Sequence, residues 1–453
     1  MARKPATVFT CTSCTAQTPR WLGRCPECGA WNTLVEEKAV PATAPRAAGA
    51  VPSAIPLAEV DAKERPRIPT GVADFDRVLG GGLVPGSVVL LGGEPGIGKS
   101  TLLLQVAARL ALRLGPVLYV TAEESARQVK MRADRLGIAG ALASGLFLLP
   151  ETELGRILDA AGAGKFGAVV VDSIQTIASE EAAGTPGSVS QVRECAGRLL
   201  TFAKTTGIPV FLIGHVTKDG TLAGPKTLEH LVDAVLSFEG ERFHAHRVVR
   251  ALKNRFGPVH ELGVFEMTGS GLVEVANPSS LYLGTGAGSR PGSAVLAGVE
   301  GTRPLLLEVQ ALTVEAKYGT PRRTAIGFDG TRLALLLAVL ERHGGLKLSG
   351  HDVFLNVAGG AESAEPAADL AVAAAVAGSL LGKALPSGTV VFGEIGLLGE
   401  IRAVADAPLR LKEALALGFA GAILPAGNAA EAAGFPDLQA TPVRTVDELL
   451  AKV

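Results

Sequence analysis

The sequence predicts an α/β protein with a mostly parallel sheet, preceded by a small cysteine-rich module and followed by a second α/β domain. Three observations lead to this prediction. A glycine-rich loop at residues 93–100 stands between an apolar run and a segment of helical period. From about residue 68 to residue 275, short β-branched runs alternate with helix-length segments, which is typical of parallel sheets covered by helices. Four of the five cysteines lie in two Cys-x-x-Cys pairs near the N-terminus.

Length and composition limit the classes of protein to consider. A chain of 453 residues corresponds to about three domains, and 47% hydrophobic residues allow sizeable cores. The net charge of −1 excludes a uniformly basic protein, so any contact with nucleic acid would come from local basic patches. There is no apolar run of about 20 residues and no apolar core after the N-terminus, so we expect a cytoplasmic protein with no membrane partner.

Composition divides the chain into four segments. Residues 1–36 hold the paired cysteines, and residues 37–66 are rich in Ala and Pro without a hydrophobic period, as in a linker. Residues 67–275 contain the alternating strands and helices, and residues 276–453 form another α/β domain. We predict strands at 87–92, 117–121, 168–172, 210–214 and 389–392, and helices at 101–114, 364–381 and 408–417.

The cysteine pairs predict a zinc site. Two Cys-x-x-Cys knuckles can bring four thiolates to one tetrahedral zinc ion, and with four protein ligands the ion would be structural. A segment of about 36 residues cannot bury enough core alone, so the metal would supply folding energy. The alternative is unliganded thiols in a flexible tail. Arg20, Trp21 and Arg24 offer a surface for nucleic acid or a protein partner. The predicted ligands are Cys11, Cys14, Cys25 and Cys28.

The glycine-rich loop predicts a site for ATP and Mg²⁺. It fits the pattern G-x-x-x-x-G-K-[ST] between a strand and a helix, where backbone N–H groups surround phosphates. Lys99 would reach the β- and γ-phosphates, and the Ser100 hydroxyl would bind Mg²⁺. The predicted nucleotide-binding residues are Gly93, Glu94, Pro95, Gly96, Ile97, Gly98, Lys99, Ser100 and Thr101.

Acidic and imidazole side chains at predicted strand ends complete a site for ATP hydrolysis. Asp172 ends an apolar strand and would hold Mg²⁺; the alternative is a helix cap. Strand ends point at the nucleotide crevice, so Glu123, or Glu124 in its place, would orient the attacking water. The alternative for both is a pair of carboxylates at a helix N-terminus. His215 would sense the γ-phosphate, unless it is a hydrogen-bonded strand-end histidine only.

Several stretches carry a resemblance to a known family. Residues 21–29 read WLGRCPECG and residues 31–37 WNTLVEE, while residues 214–218 read GHVTK and residues 253–257 KNRFG. They resemble the bacterial RadA (Sms) family of DNA-repair proteins over nearly all of the chain outside the linker. The resemblance implies a RecA-like P-loop ATPase in a hexameric ring. It would bind single-stranded and branched DNA, act beside the RecA recombinase and drive branch migration as a helicase-like motor.

The family resemblance also assigns residues for coupling ATP to DNA. These are Lys253, Asn254, Arg255, Phe256 and Gly257. Lys253 and Arg255, two residues apart on a strand, would lie on one face. There they would contact the phosphates of DNA or the γ-phosphate bound by a neighbouring subunit; a solvated basic edge is the alternative. RecA-like proteins place DNA contacts in the loop that corresponds to residues 217–226, which holds Lys218 and Lys226.

The C-terminal domain resembles the proteolytic domain of Lon protease, but without its catalytic dyad. Lon needs a serine nucleophile activated by a lysine. Ala367 stands at the serine position and Arg410 at the lysine position, and an arginine cannot release its proton to act as a base. The resemblance therefore implies a platform for oligomerisation and DNA binding, with Arg322 and Arg323 as a local basic cluster.

Three functions compete as explanations of these residues. A DNA-stimulated ATPase motor for recombination is favoured. An ATP-dependent protease of the Lon type would need the missing dyad. A signalling or clock ATPase like KaiC would not need the zinc module or residues 253–257. Cys195 lies in a predicted helix and is expected to be a packed thiol.

Overall fold

The computed structural model describes residues 7–11, 16–38, 56, 66–215, 227–240, 246–259, 261–284, 286–317 and 319–453. They belong to two compact units, residues 1–275 and 276–453, which are described separately. Most of the predicted linker lies outside the described residues, as do Cys14, Lys218 and Lys226. Within the described ranges, no helix combines the length and the apolar character needed to cross a membrane.

A small antiparallel sheet forms the N-terminal part of the first unit. Its strands are β1 Thr7–Cys11, β2 Gln17–Thr18 and β3 Leu34–Lys38, in the order β2-β1-β3. Cys11, Cys25 and Leu34 are its buried apolar residues, with Phe9 and Leu22 packed against them. So small a core cannot stabilise a fold by itself, which fits a module that depends on a metal.

The larger part of the first unit is a nine-stranded sheet within the described residues. Its strands are β4 Val88–Gly93, β5 Val117–Thr121, β6 Leu146–Leu149, β7 Ala168–Asp172, β8 Val210–His215, β9 Ala234–Glu239, β10 His246–Asn254, β11 Leu262–Thr268 and β12 Gly271–Glu274. Its helices are α1 Ala73–Val78, α2 Lys99–Leu114, α3 Ala126–Arg135, α4 Ala141–Ser144, α5 Leu154–Ala163, α6 Val189–Thr206 and α7 Thr227–Leu231.

The strand order is β12-β11-β10-β9-β4-β8-β7-β5-β6. The six strands from β9 to β6 are parallel, and β10, β11 and β12 continue the sheet in antiparallel pairs. The predicted α/β class with a mostly parallel sheet is confirmed. The carboxyl ends of β4, β5, β7 and β8 therefore meet at one edge of the sheet, where ligands bind in folds of this kind.

Alternating side chains of each central strand enter two different cores. In β4, Val89 and Leu91 pack on the face that carries α1 and α2, whereas Val88 and Leu90 pack on the face that carries α5 and α6. All six residues of β4 are buried. Burial on both faces explains why the sequence shows continuous apolar runs here rather than alternation with polar residues.

The outer edge at β12 is covered by a side chain. The Gln105 amide on α2 donates from Nε2 to the Leu272 carbonyl at 3.1 Å and accepts at Oε1 from the Leu272 N–H at 3.0 Å. Both outward-facing backbone groups of Leu272 are thus satisfied, as a neighbouring strand would satisfy them.

The second unit contains a seven-stranded mixed sheet in the order β15-β16-β14-β13-β17-β20-β21, and a separate two-stranded pair. Its strands are β13 Ser293–Glu300, β14 Arg303–Glu315, β15 Arg323–Ile326, β16 His351–Val357, β17 Thr389–Val391, β18 Glu394–Ile395, β19 Ile401–Arg402, β20 Gly421–Pro425 and β21 Gln439–Val443. Its helices are α8 Ser279–Tyr282, α9 Gly330–Arg342, α10 Asp369–Leu381, α11 Ala407–Ala416, α12 Ala429–Ala432 and α13 Val446–Leu450.

Two predicted helix starts differ from the structure. The helix expected to start at residue 101 begins at Lys99, directly after the loop glycines. The helix expected at 364–381 is a short 3-10 turn, Pro366–Ala368, followed by α10, which begins at Asp369. Pro366 favours a helical start but donates no hydrogen bond, which suits a tight first turn.

Candidate nucleotide-binding and hydrolysis site

The glycine-rich loop connects β4 to α2 in a conformation that depends on glycine. Gly98, the N-cap of α2, has φ = +119°, and a β-carbon there would lie 2.7 Å from the Met267 methyl group. Gly96 has φ = +78°. Both angles are in the region that residues with a β-carbon rarely adopt. The loop therefore exposes backbone N–H groups at a helix N-terminus, which is a site that suits phosphate.

The Lys99 side chain is hydrogen-bonded to the backbone of this loop. Its Nζ donates to the Gly93 and Glu94 carbonyls, each at 2.8 Å, and only 4% of the residue is exposed. Burial lowers the pKa of Lys99 to about 8, although the charges of Asp172, Glu123 and Glu94 act in the opposite direction. The close partners of this desolvated ammonium group are two carbonyl oxygens and a ring nitrogen of His215, none of which carries a full negative charge. Such a group gains strongly from an added phosphate. The surroundings of Lys99 thus fit a nucleotide.

Ser100 and Asp172 come together from α2 and the end of β7. Their side chains are hydrogen-bonded to each other, and the Tyr119 hydroxyl donates to Asp172 Oδ2 at 2.7 Å. Burial raises the pKa of Asp172 above its ordinary value. A hydroxyl beside a desolvated carboxylate is a donor set that a hard cation such as Mg²⁺ prefers. Tyr119 was not predicted, because nothing in an apolar strand marks one tyrosine as a hydrogen-bond donor.

The two candidate bases have different surroundings. Glu123 contacts His215 Nε2 through Oε1 at 3.0 Å and accepts from the Ser173 hydroxyl. Hydrogen bonding with His215, more than any other contact, lowers the pKa of Glu123. Glu124 instead forms an ion pair with Arg132 on α3, with Oε1 2.5 Å from Nη2. Glu123 therefore contacts His215, which also lies beside Lys99, whereas Glu124 is paired with Arg132 on α3.

His215, the last residue of β8, lies between Lys99 and Glu123. Its Nδ1 lies 3.3 Å from Lys99 Nζ and its Nε2 lies 3.0 Å from Glu123 Oε1. Register pairing places His215 opposite Gly93, the first residue of the glycine-rich loop. The histidine thus connects the lysine and the proposed base at the point where β8 leaves the sheet.

A further residue near the loop was missed by sequence reasoning. Arg247 on β10 is buried and its Nε lies 3.3 Å from the Ile97 carbonyl in the glycine-rich loop. The contact joins residues 150 positions apart. No local pattern in a strand of mixed polarity indicates such a partner, so the sequence alone could not have identified it.

Residues 253–257 lie far from the glycine-rich loop of the same chain. Asn254 pairs with Ala234, which pairs with Val89, four residues before the end of β4. Four strand residues span about 13 Å. The strand β10 also has a bulge between Ala251 and Lys253. This run therefore lies toward the opposite end of the strands from the glycine-rich loop of its own subunit.

The expectation that Lys253 and Arg255 share one strand face was wrong. The strand β10 ends at Asn254, so Arg255 lies in the following turn. Lys253 Nζ donates to the Val232 carbonyl at 2.8 Å and to that of Glu229, while Arg255 pairs with Asp233 at 3.4 Å. Both side chains nevertheless contact the same segment, residues 229–233 at the end of α7. Arg255 contacts it from the turn that follows the bulged strand.

Asn254 and Gly257, also in this run, make contacts within the protein. The Asn254 side chain accepts from the Phe256 N–H at 2.9 Å. A β-carbon on Gly257 would lie 3.0 Å from the Gly80 Cα, so the two backbones are in close approach there. Only a glycine allows this packing without displacement of the neighbouring turn.

Three of the four predicted zinc ligands come together. The sulfur atoms of Cys11, Cys25 and Cys28 lie within 4.8 Å of one another, and those of Cys11 and Cys28 are 3.7 Å apart. A tetrahedron with zinc–sulfur bonds of about 2.3 Å has sulfur atoms about 3.8 Å apart, whereas a disulfide needs about 2.05 Å. The distances therefore fit a shared zinc ion and exclude a bond between these two cysteines.

In the second unit, Arg410, which stands at the position of the Lon lysine, forms a buried ion pair. Arg410 is 3% exposed, and its Nη2 donates to Glu365 Oε2 at 2.7 Å, while Nη1 donates to the Ala297 carbonyl at 2.7 Å. Ala367 is buried nearby in sequence, in the turn before α10. The described atoms at these positions provide neither a nucleophile nor a base.

The predicted basic cluster of this unit is at the surface. Arg322 and Arg323 are exposed, and the Arg323 guanidinium donates to the Leu348 carbonyl at 3.0 Å. The second unit also buries Asp369 against Arg332 at 2.5 Å, a pair that fixes the start of α10 to α9.

In the first unit, Cys195 is buried, and burial raises the pKa of its thiol to about 12. The thiol is therefore an unreactive packed group.

The fold and these residues define a P-loop ATPase core of the RecA-like class with a zinc ribbon on the N-terminal side. A family model described as an AAA domain matches residues 74–221, and one described as a rubredoxin metal-binding domain matches residues 9–36. The chain is 49% identical to the DNA repair protein RadA of Bacillus subtilis, over 94% of this chain and 93% of that protein. It therefore belongs to the RadA family of DNA repair proteins.

A second relative and one solved structure are also similar to this chain. The chain is 52% identical to the DNA repair protein RadA of Pseudomonas aeruginosa, over 94% of each chain. The KaiC-like protein PH0186 of Pyrococcus horikoshii is 22% identical, with a TM-score of 0.38, over 46% of this chain and 99% of that one. The second likeness is too low to bear on function.

Proposed function

We propose that this protein is a DNA-stimulated ATPase motor that moves on single-stranded or branched DNA during homologous recombination and repair. In this proposal it extends joints between recombining strands by branch migration, beside the RecA recombinase. Membership of the RadA family supports the repair role. The main observation in support of a motor is that His215 contacts both Lys99 and Glu123. These contacts join the proposed phosphate site to the end of β8.

In the proposed hydrolysis step each residue has a separate task. Lys99 neutralises charge on the β- and γ-phosphates, and the loop N–H groups position them. Mg²⁺, held by Ser100 and Asp172, would supply further charge neutralisation. Glu123 accepts a hydrogen bond from the attacking water and orients it. Ser173 and His215 hold the Glu123 carboxylate in place.

His215 would transmit the nucleotide state. A phosphate at Lys99 competes for the ammonium group that now lies 3.3 Å from His215 Nδ1. Loss of that contact would leave the imidazole in contact with Glu123. In this proposal the change at His215 acts on the residues that follow it in the sequence. Those residues, 216–226, lie outside the described part of the chain and include Lys218 and Lys226, which we propose as contacts for DNA phosphate.

Assembly into a ring would account for the position of residues 253–257. Because this run is about 13 Å along the strands from its own glycine-rich loop, we propose that Lys253 and Arg255 act on DNA or on a neighbouring subunit's nucleotide. A hexamer would provide that neighbour. The second unit, with a buried ion pair instead of a dyad, would serve as an assembly and DNA-binding platform and not as a protease.

The proposal is tested by the rate of ATP hydrolysis with and without single-stranded and forked DNA. We expect stimulation by both DNA forms in the native protein and no hydrolysis by Lys99→Ala. Lys130→Ala is a matched control, because Lys130 is exposed on α3 and, among the residues that the structure describes, forms an ion pair with Asp134 alone. The affinity for DNA should also fall steeply with salt, as several phosphates are neutralised. Absence of stimulation by any DNA contradicts the proposed function.

A further inference from the structure

The zinc ribbon carries both tryptophans of the chain at its surface. Trp21 is 55% exposed and Trp31 is 70% exposed, and the sequence contains no other tryptophan. Neither indole is part of the ribbon core, which consists of Cys11, Cys25 and Leu34 with smaller apolar contacts. Large aromatic side chains are usually well buried, so two indoles left in solvent on one small module indicate a binding surface.

The two indoles are neighbours. A β-carbon on Gly23 would lie 3.7 Å from the Trp21 ring and 3.9 Å from the Trp31 ring, so both rings border the same glycine. Trp31 is fixed opposite Arg24 by a β-bridge, and the Asn32 N–H donates to the Gly23 carbonyl at 2.8 Å. The backbone of the ribbon therefore holds both rings at one place.

Two arginines accompany the rings. The Arg24 Nε donates to the Gly29 carbonyl at 2.9 Å, and this bond places its guanidinium 5.8 Å from the centre of the Trp31 ring. Arg20, beside Trp21, is exposed and has no acidic partner among the residues that the structure describes. We call Arg20, Trp21, Arg24 and Trp31 the tryptophan surface.

We infer that the tryptophan surface binds unpaired bases of single-stranded DNA, an inference that rests on the proposed function. A single strand alternates flat bases with phosphates, and this surface alternates flat rings with guanidinium groups. Stacking on indoles accepts any base, and arginines beside the rings neutralise the backbone. A structural zinc ion keeps the platform rigid without taking part in binding.

Tryptophan fluorescence tests this inference directly, since both emitting residues belong to the surface. Zinc-loaded full-length protein is titrated with oligothymidylate and with an abasic oligomer of equal length, and ATP hydrolysis is measured on the same samples. We expect saturable quenching by oligothymidylate and little by the abasic strand. An iodouracil-substituted oligonucleotide should cross-link to Trp21 or Trp31 when irradiated.

Variants separate stacking from folding. Trp21→Ala and Trp31→Ala should each weaken oligonucleotide binding by roughly tenfold, and Trp31→Phe should retain most of the affinity. Phe147→Ala is the matched control, because Phe147 is a 49% exposed aromatic residue on β6. The zinc content of each variant shows whether the ribbon is intact.

Each failure has a different signature. If DNA stimulates hydrolysis but neither quenches nor cross-links to the tryptophans, the inference is wrong and the proposed function stands. If a variant that lacks both indoles binds oligothymidylate like the native protein, the inference is again overturned. If no DNA stimulates hydrolysis, the proposed function fails, whereas base-dependent quenching would still support the tryptophan surface.

Discussion

Glutamine at position 123 would preserve the shape of the side chain and its contact with the Ser173 hydroxyl, but it would remove the charge that attracts a water proton. A positioned base contributes about 10²–10⁴-fold to a rate. For Glu123→Gln we therefore expect kcat for ATP hydrolysis to fall by about 100-fold or more, which raises the barrier by about 3 kcal/mol. The contact with His215 lowers the pKa of Glu123, so native Glu123 stays ionised across the neutral range.

The neighbouring residue provides the matched control. Glu124→Gln weakens the ion pair with Arg132, whose atoms are 2.5 Å apart at side-chain exposures of 32% and 19% for Glu124 and Arg132. We expect a loss of about 1 kcal/mol in the free energy of unfolding and a kcat close to native. Phosphate release at saturating ATP, nucleotide affinity and urea unfolding measure the three quantities. Equal losses of kcat in both variants, or a larger loss in Glu124→Gln, would refute the assignment of the base.

The remaining predictions concern the zinc ligand Cys28, Lys99 and the second unit. Cys28→Ser, like chelation of zinc, should make residues 16–38 sensitive to proteolysis and leave ATP affinity unchanged, because a module this small depends on its metal; a protected ribbon without zinc would contradict this. ATP affinity should fall as pH rises through about 8, where free Lys99 loses its proton, and Lys99→Arg should bind without that dependence. The unfolded chain keeps this proton up to about 10.5, so Lys99 alone should make the free protein more stable as pH rises from about 8 to 10.5. Glu365→Ala leaves the Arg410 guanidinium buried without its carboxylate, so the free energy of unfolding should fall by about 3–5 kcal/mol. Urea unfolding checks this last value, and a loss near zero would show that Arg410 finds another partner or solvent.

Contiguous motifs gave the most direct predictions of site residues. The glycine-rich loop and the cysteine knuckles are local, because each places its functional atoms within a few residues of one another. Asp172 was identifiable because a carboxylate at the end of an apolar run stands out in a parallel sheet. These predictions needed only the rule that strand ends meet at one edge.

Contacts between distant residues could not be predicted. Glu123 and Glu124 both follow β5, and only the position of Arg132 on α3 shows which one is tied elsewhere. The bulge before Lys253 moved Arg255 out of the strand, although a two-residue spacing suggests a shared face. Arg247 reaches the glycine-rich loop from 150 residues away, and no periodicity encodes that distance.

The glutamine amide at β12 has a consequence for how copies of this protein can associate. An uncovered sheet edge invites a strand of another molecule, and such pairing propagates without limit. Gln105 occupies both hydrogen-bonding groups of Leu272, so a neighbour could join the sheet there only by first displacing the amide. Assembly by side-chain contacts, which can close on itself, is thereby favoured over growth of a continuous sheet into filaments or aggregates.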